Sequence, residues 1–175
     1  MSAGEADRVP LAPPDPASWR PFWRAFVAAH PEHADREPFD VFAFGDHRAL
    51  ADELAELVRR GVKRGTTASL EAMRRESTPS PAPGALSIVV RGDGTPVCVI
   101  ETIETFVTRL GAVDERFAAD EGEGDGSLAY WREAHEAVFR REGAALGYAF
   151  TPDMEVECER FRLLWPPPSS ADGRA

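Results

Sequence analysis

The sequence predicts an α+β protein with a largely antiparallel sheet or a small barrel, and three observations support that class. Apolar residues recur at helical spacing in the first third of the chain and again near 128–139. The middle of the chain is rich in β-branched residues and is interrupted by glycine-containing turns. The last apolar run, MEVECERFRLLW, alternates apolar and polar residues with the period of a half-buried strand. Helices and strands therefore occupy separate stretches, which is typical of α+β folds.

Two helices are predicted before the first strand. One lies near 18–30, because four aromatic residues share one stripe and Ser18 is a suitable cap. Those aromatic residues are Trp19, Phe22, Trp23 and Phe26. A second helix covers 47–60, where leucines recur on one face and Gly61 stands at the C-terminal end.

After residue 84 the spacing of the apolar residues changes from helical to strand-like, and this change predicts where the central elements begin. Residues 85–90 and 97–110 are predicted strands, joined by the turn GDGTP at 92–96. A short acidic helix comes next, and then a longer helix that Ser127 caps. The predicted buried stripe of the longer helix is Leu128, Trp131, His135, Val138 and Phe139. A final strand covers 154–165.

The length of 175 residues fits one domain, which we place at 17–165 with an N-terminal helical extension. Residues 1–16 and 166–175 are rich in proline, alanine and small polar residues, and we expect a disordered leader and tail there. No apolar run reaches the roughly 20 residues of a membrane span, and the N-terminus lacks the apolar core of a secretory signal. We therefore expect a cytoplasmic protein in which Cys98 and Cys158 are reduced core thiols.

The net charge of −10 argues against nucleic-acid binding driven by the field of the whole protein. Basic residues nevertheless gather in one segment, namely Arg59, Arg60, Lys63, Arg64, Arg74 and Arg75. This segment is either a local basic patch on an acidic body or, for Arg59 and Arg60, the favourable charge at a helix C-terminus.

Lys63 is the only lysine in the chain, against 19 arginines. A desolvated lysine can lose its proton at accessible pH, whereas an arginine cannot, so Lys63 is a candidate for activating a hydroxyl group. The alternative is that it survived by chance in an arginine-rich sequence. The hydroxyls of Thr66, Thr67 and Ser69 follow at once, and they serve either turn chemistry or catalysis and phosphate binding.

The stretch EGEGDGS separates Glu121, Glu123 and Asp125 by single glycines. Three carboxylates at this spacing can bind a divalent cation, or one of them can act as a general base. The alternative is a loop whose acids favour the N-terminus of the next helix. His135, on the apolar face of that helix, is more typical of a core residue than of a ligand.

Four ordered blocks of sequence together resemble the ASCH domain, a branch of the PUA-like superfamily. They are FAFGDHRALADELAELVRRGVKRGTTAS, GDGTPVCVIETIE, FAADEGEGDGSLAYWREAHEAVF and MEVECERFRLLW, and they span 42–165. The resemblance implies a small, mostly antiparallel PUA-like β-barrel flanked by helices, with a cleft beside the lysine. The helix of Trp19 and Trp23 would be an extra N-terminal helix of the kind seen on some members.

The resemblance also implies a link to RNA and, in some branches, hydrolase activity. One branch removes the acetyl group of N4-acetylcytidine without a cofactor. Its Lys-x-x-Thr matches Lys63 and Thr66, and its glutamate matches Glu121 first and Glu123 next. In that version Thr66 attacks the acyl carbon, Lys63 is its base and Glu121 handles the leaving-group proton. This chain has Ala68 where that branch has an arginine.

A second branch is described as a metal-dependent ribonuclease. In that version Glu121, Glu123 and Asp125 would hold Mg²⁺ or Mn²⁺, while Lys63 binds phosphate. In either version RNA or a nucleotide is the partner, and the residues predicted to contact it are Arg64, Thr67, Ser69, Arg74 and Trp131.

The competing hypothesis is a non-catalytic module that binds RNA or a nucleotide, with Trp131 or Tyr130 stacking on a base. The helix of Trp19 and Trp23 would then serve a partner or a homodimer, and a monomer is the other possibility.

Overall fold

The computed structural model describes residues 8–166 of the chain. Within that range the helices are α1 Pro16–Ala29, α2 Arg48–Arg59, α3 Leu70–Glu76, α4 Glu115–Glu121 and α5 Leu128–Leu146. The strands are β1 Asp40–Phe42, β2 Gly65–Ser69, β3 Leu86–Val90, β4 Pro96–Arg109 and β5 Glu155–Trp165. They are hydrogen-bonded in the order β1-β3-β4-β5-β2.

The predicted α+β class is confirmed. β3 and β4 form the predicted antiparallel hairpin, and β2 pairs antiparallel with β5. β1 runs parallel to β3, in register from Asp40 opposite Ser87 to Phe42 opposite Val89.

Three elements were not predicted, and each is short. β1 has three residues, and α3 has seven, which is too few for a helical or strand period to stand out. β2 reads GTTAS, and its Thr and Ser residues resemble turn chemistry when they are seen without their partner strand. Residues 65–69 therefore form a strand rather than a turn, because β5 supplies their hydrogen-bond partners.

The chain packs as two compact units that are discontinuous in sequence. Within the described range, unit 1 comprises residues 8–61, 85–101 and 163–166, and unit 2 comprises 62–84 and 102–162. β4 and β5 each run from one unit into the other. The prediction of one domain over 17–165 with a helical extension stays a prediction.

Unit 1 has an apolar core built on α1 and the strand hairpin. The fully or almost fully buried side chains are Trp23, Phe26, Leu86, Ile88, Val90 and Val99. Trp23 is 6% exposed, and its Nε1 donates to the Arg36 carbonyl over 3.1 Å. α1 thus buries Trp23 within unit 1, while a homodimer through this helix stays a prediction.

The predicted leader is partly visible, because residues 8–15 are described. The Arg48 amide donates to the Val9 carbonyl over 2.9 Å, and the Ala12 amide donates to the Gly92 carbonyl over 2.8 Å. The Asp15 side chain caps α1. Residues 1–7 and 167–175 lie outside the described residues, so disorder of the ends stays a prediction.

Unit 2 has its own core, formed by α4, α5 and one face of β5. Its buried apolar side chains are Leu110, Val113, Phe117, Ala118, Trp131, Phe139, Val156 and Cys158. Ser127 caps α5 as predicted, since its hydroxyl accepts from the Tyr130 amide over 3.1 Å. Trp131, His135 and Phe139 form the buried part of the predicted stripe.

Cys98 in β4 and Cys158 in β5 are both buried free thiols, as predicted. In the described range no helix is long and apolar enough to cross a membrane. The cytoplasmic location stays a prediction.

Candidate functional site

Two segments of unit 2 bring the predicted site residues together. Lys63 lies two residues before the start of β2, and Thr67 within β2 stands opposite Cys158 of β5. Glu121 is the last residue of α4, where Gly122 ends the helix with a φ of +64°. A side chain at position 122 would meet the Val62 carbonyl oxygen at 2.7 Å, so the close approach of the end of α4 to the segment before β2 requires glycine there.

The centre of the site is a buried lysine between two carboxylates. Lys63 Nζ donates to Glu121 Oε2 over 3.0 Å and to Glu123 Oε1 over 2.7 Å. The side chains of Lys63 and Glu121 are each 1% exposed, whereas that of Glu123 is 15% exposed. We call these residues, together with Thr67 and Trp131, the Lys63 cluster.

Glu121 is held from several sides. Its Oε1 accepts from Thr67 Oγ1 over 2.6 Å and from Trp131 Nε1 over 2.7 Å. His135 stacks on the Trp131 ring at 4.1 Å, and its Nε2 lies 3.5 Å from Glu121 Oε1. His135 Nδ1 is 2.9 Å from the Trp131 carbonyl, and because a carbonyl only accepts, Nδ1 carries a proton. His135 is therefore a core residue that also faces the cluster.

The cluster is ionised at neutral pH. Burial opposes the charge of Lys63, but Glu121 and Glu123 outweigh that effect and raise the pKa of Lys63 above its usual value. Burial also opposes the charge of Glu121, yet Lys63, His135 and the hydrogen bonds from Thr67 and Trp131 lower its pKa to about 2. Lys63 is thus an ammonium and Glu121 a carboxylate, and in this arrangement neither exchanges a proton near pH 7.

Thr66 lies apart from this arrangement. It is opposite Glu159 in the β2–β5 pairing, while Thr67 is opposite Cys158. Because neighbouring side chains alternate between the faces of a strand, Thr66 points away from the face that carries Thr67 and Glu121. Its hydroxyl makes no hydrogen bond to any residue in the described range. The predicted attack by Thr66 stays a prediction.

The other predicted contact residues have separate roles. Ser69 is 1% exposed and caps α3 by accepting from the Ala72 amide. Arg64 is 58% exposed and pairs with Asp120 at 3.1 Å. Arg74 pairs with Glu71 and Glu155 and lines a separate cavity of about 280 Å³ beside Tyr148. These acidic partners offset the positive charge that the sequence concentrates around Lys63.

The three carboxylates predicted to hold a metal ion make other contacts in this structure. Glu121 and Glu123 both bind Lys63 Nζ, and Asp125 Oδ1 accepts from the Ser127 amide over 2.9 Å. Across residues 8–166 no three His, Cys, Asp or Glu side chains are grouped to hold a metal ion. A divalent cation at this site stays a prediction.

A second polar cluster, which we did not predict, lies on the opposite face of β5. Thr102 Oγ1 donates to Glu159 Oε1 over 2.7 Å, and the Ser80 hydroxyl donates to Glu157. Burial and the neighbouring Glu157 raise the pKa of Glu159, against the hydrogen bond from Thr102. The strand alternation of VECERF carries the signal, because it places Glu157 and Glu159 on one face.

Comparison with known proteins identifies the family model and two solved structures that this chain is similar to. The ASCH domain model matches residues 40–165. A crystal structure of an ASCH domain from Lactobacillus crispatus JV V101 is 32% identical, with a TM-score of 0.77 over 82% of this chain and 92% of that one. A crystal structure of a protein from Enterococcus faecalis V583 is 30% identical, with a TM-score of 0.73 over 83% of this chain and 86% of that one. No curated protein matches the chain.

Proposed function

The chain belongs to the ASCH domain family, a PUA-like fold associated with RNA binding, and from that premise we propose that it hydrolyses an acyl group from a nucleoside of RNA. The observation that carries this proposal is the Lys63 ammonium between a fixed carboxylate, Glu121, and a partly exposed one, Glu123. A fixed positive charge beside a movable base is what acyl transfer requires, because negative charge develops on the carbonyl oxygen.

The ionisation of the cluster changes the roles that the sequence suggested. Lys63 is protonated, so it stabilises an oxyanion rather than removing a proton. Glu121 has a pKa of about 2 and remains a carboxylate, so it positions Lys63. Glu123 is then the group that accepts and returns the proton.

In the proposed reaction, water attacks the acyl carbon and gives its proton to the Glu123 carboxylate. The electron pair of the carbonyl double bond moves to oxygen, which Lys63 Nζ holds as an oxyanion. Collapse of this intermediate breaks the carbon–nitrogen bond. The leaving amine takes the proton from Glu123, and the products are a free carboxylic acid and the amino-nucleoside. No metal ion or redox cofactor takes part in these steps.

The test uses N4-acetylcytidine, in the presence of a chelator, with acetate release followed by mass spectrometry. Glu123→Gln should lower kcat by at least about 100-fold, which is the usual contribution of a general base. Asp125→Asn is the matched control, because Asp125 lies in the same loop and an asparagine oxygen can still accept from the Ser127 amide. Wild-type turnover in Glu123→Gln would contradict the proposal.

The second candidate is a non-catalytic binding module, and the burial of the Lys63–Glu121 ion pair favours it, since a buried and paired ammonium and carboxylate can shape a binding site without reacting. Saturable binding of an intact nucleoside, without product, would support this candidate. Cleavage of single-stranded RNA that requires Mg²⁺ or Mn²⁺ and stops with chelator would instead support a ribonuclease.

A further inference from the structure

We infer that the loop 122–126, here called the strap, fills both halves of a nucleotide-binding site. The Glu123 carboxylate takes the place of a singly charged oxygen group on Lys63 Nζ, and the Gly124 backbone takes the place of a base on the Tyr130 ring. This inference rests on the proposed function, and it describes what a ligand must displace to reach Lys63.

The first half is the contact between Glu123 and Lys63. The two carboxylates on Lys63 differ in how firmly they are held, because Glu121 also accepts from Thr67 and Trp131. The Glu123 side chain, in contrast, accepts only from Lys63 Nζ among the described residues, over 2.7 Å. Glu123 is therefore the carboxylate that can give up its bond to Lys63, and it then stays beside the site as the proposed base. Phosphate and carboxylate oxygens are equivalent acceptors for an ammonium, so a ligand oxygen can replace it.

The second half is the contact between Gly124 and Tyr130. A Cβ atom at position 124 would lie 2.4 Å from Tyr130 Cε1 and Cζ and 2.5 Å from Cε2. Gly124 therefore packs closely against the hydroxyl-bearing end of the phenol ring, with no room for a side chain between them. Tyr130 is 42% exposed, so its ring borders solvent beside the strap. Bases stack on aromatic faces of this kind in sequence-tolerant nucleic-acid sites.

The strap is anchored at both ends and bends between them. The Gly122 amide donates to the Ala118 carbonyl of α4, and Asp125 and Ser127 begin α5. Three glycines of the strap have a positive φ, +64°, +57° and +74° at positions 122, 124 and 126. Glu123 and Gly124 are adjacent, so one outward movement uncovers the ammonium and the ring together.

The charge of the cluster defines the ligand class. When Glu123 leaves, the Lys63 ammonium is balanced by the Glu121 carboxylate, and the site has released one negative charge. The cluster therefore accepts one negative charge in return. An RNA phosphodiester carries one, whereas a terminal phosphate carries about 1.5 to 2 at pH 7. The site should therefore prefer a phosphodiester-linked nucleoside to one with a terminal phosphate.

The presence of one lysine in the chain makes the strap directly measurable. An amine-acylating reagent modifies only Lys63 and the N-terminal amine, and peptide mass spectrometry separates the two. Lys63 should be protected in the folded wild type. Gly124→Ala, whose Cβ would collide with the Tyr130 ring, should raise the acylation rate at least tenfold. Gly126→Ala is the matched control, because φ there is +74° but no atom lies within 4 Å of the added Cβ.

The ligand arm uses Gly124→Ala with three probes: inorganic phosphate, cytidine 5′-monophosphate and the dinucleotide cytidylyl-cytidine. The dinucleotide should slow acylation of Lys63 at the lowest concentration. The strap is refuted if Gly124→Ala is acylated no faster than Gly126→Ala, or if no probe slows the reaction. If the dinucleotide protects Lys63 from acylation but no acetate is released from N4-acetylcytidine, the proposed hydrolysis is refuted and the nucleotide-binding site is supported. If acetate is released but Lys63 is acylated equally fast in Gly124→Ala and Gly126→Ala, the strap is refuted and the proposed hydrolysis is not.

Discussion

The two compact units of this chain bury very different material. Seven polar or charged side chains are buried in the described range, and unit 1 contains only Ser87 among them, whereas unit 2 contains Lys63, Glu121, His135, Glu157, Ser69 and Thr102. Apolar packing is non-directional and supplies most folding stability. A buried ion pair contributes little net stability and depends on each partner.

The functional residues of this chain are to be expected in unit 2, where the buried charges lie. Unit 1 needs no explanation beyond packing, because its core is an aromatic helix over an apolar hairpin. Unit 2 retains a costly charge cluster inside an otherwise ordinary core. Such clusters are concentrated at functional sites, since a hydrophobic replacement would usually be neutral or stabilising.

The largest expected effect comes from removing one charge of the cluster. Lys63→Met should lower the free energy of unfolding by about 3–5 kcal/mol, because Glu121 is left as a buried charge without its ammonium. The double variant Lys63→Met with Glu121→Gln should lose less than the sum of the two single variants. Urea denaturation of all four proteins measures this coupling, and strict additivity would contradict the cluster.

A cavity made in the core of unit 1 should lower the free energy of unfolding by the same amount in acid as at neutral pH, unlike the loss of a charge in unit 2. Ile88 is fully buried, and Ile88→Ala should cost about 2–5 kcal/mol by lost packing. That loss should be the same at pH 3 and pH 7, because Ile88 belongs to an apolar cluster. Urea denaturation at both pH values measures the stability difference between the variant and wild type. A strong pH dependence of that difference would contradict the purely apolar character of the core of unit 1.

The next effect is acid destabilisation from Glu121. Its pKa is about 2 when folded and 4.5 as the reference value, so the folded state binds fewer protons in that window. The stability it contributes is present above pH 4.5 and is lost as the pH falls toward 2, by roughly 3 kcal/mol in total. Thermal denaturation of wild type and Glu121→Gln between pH 2 and 7 checks this, and parallel curves would be the contrary result.

Glu159 should show the opposite sign. Burial raises its pKa above the reference value of 4.5, so the folded state binds more protons. Its favourable contribution is present below pH 4.5 and is lost as the pH rises through the folded pKa. Glu159→Gln should therefore stabilise the protein relative to wild type more at pH 7 than at pH 4. Calorimetry at pH 4 and pH 7 measures the change, and a loss at pH 7 would overturn the assignment.

The smallest effect compares two helix caps. Asp15 caps α1 in unit 1, and Ser127 caps α5 in unit 2. Ser127→Ala and Asp15→Ala should each cost about 1 kcal/mol. Only Ser127→Ala should also speed acylation of Lys63, since Ser127 fixes the end of the strap. Equal acylation rates of Lys63 in both variants would show that the Ser127 cap does not hold the strap over Lys63.

The fold could be predicted where the sequence pattern is long. α2, α5 and the β3–β4 hairpin have periods that persist over many residues, and β5 alternates over 11 residues. β2 could not be predicted, because its identity depends on pairing with β5, which is about 90 residues away in the sequence. Local pattern carries no information about a partner at that separation.

The site was partly predictable for similar reasons. The lone lysine and the EGEGD stretch drew attention to Lys63, Glu121 and Glu123, and the structure brings these three together. The choice between Thr66 and Thr67 depends on which face of β2 each occupies. That face is fixed by the register with β5, and a sequence without a predicted strand there contains no such information.

The two cysteines have a practical consequence for watching the strap move. Burial raises the pKa of both Cys98 and Cys158 to about 12, so almost no thiolate is present near neutral pH. A cysteine introduced at position 125 would then be the one readily alkylated sulfur in the described part of the chain. A fluorophore or spin label attached there would report opening and closing of the loop in real time, without removing either native cysteine.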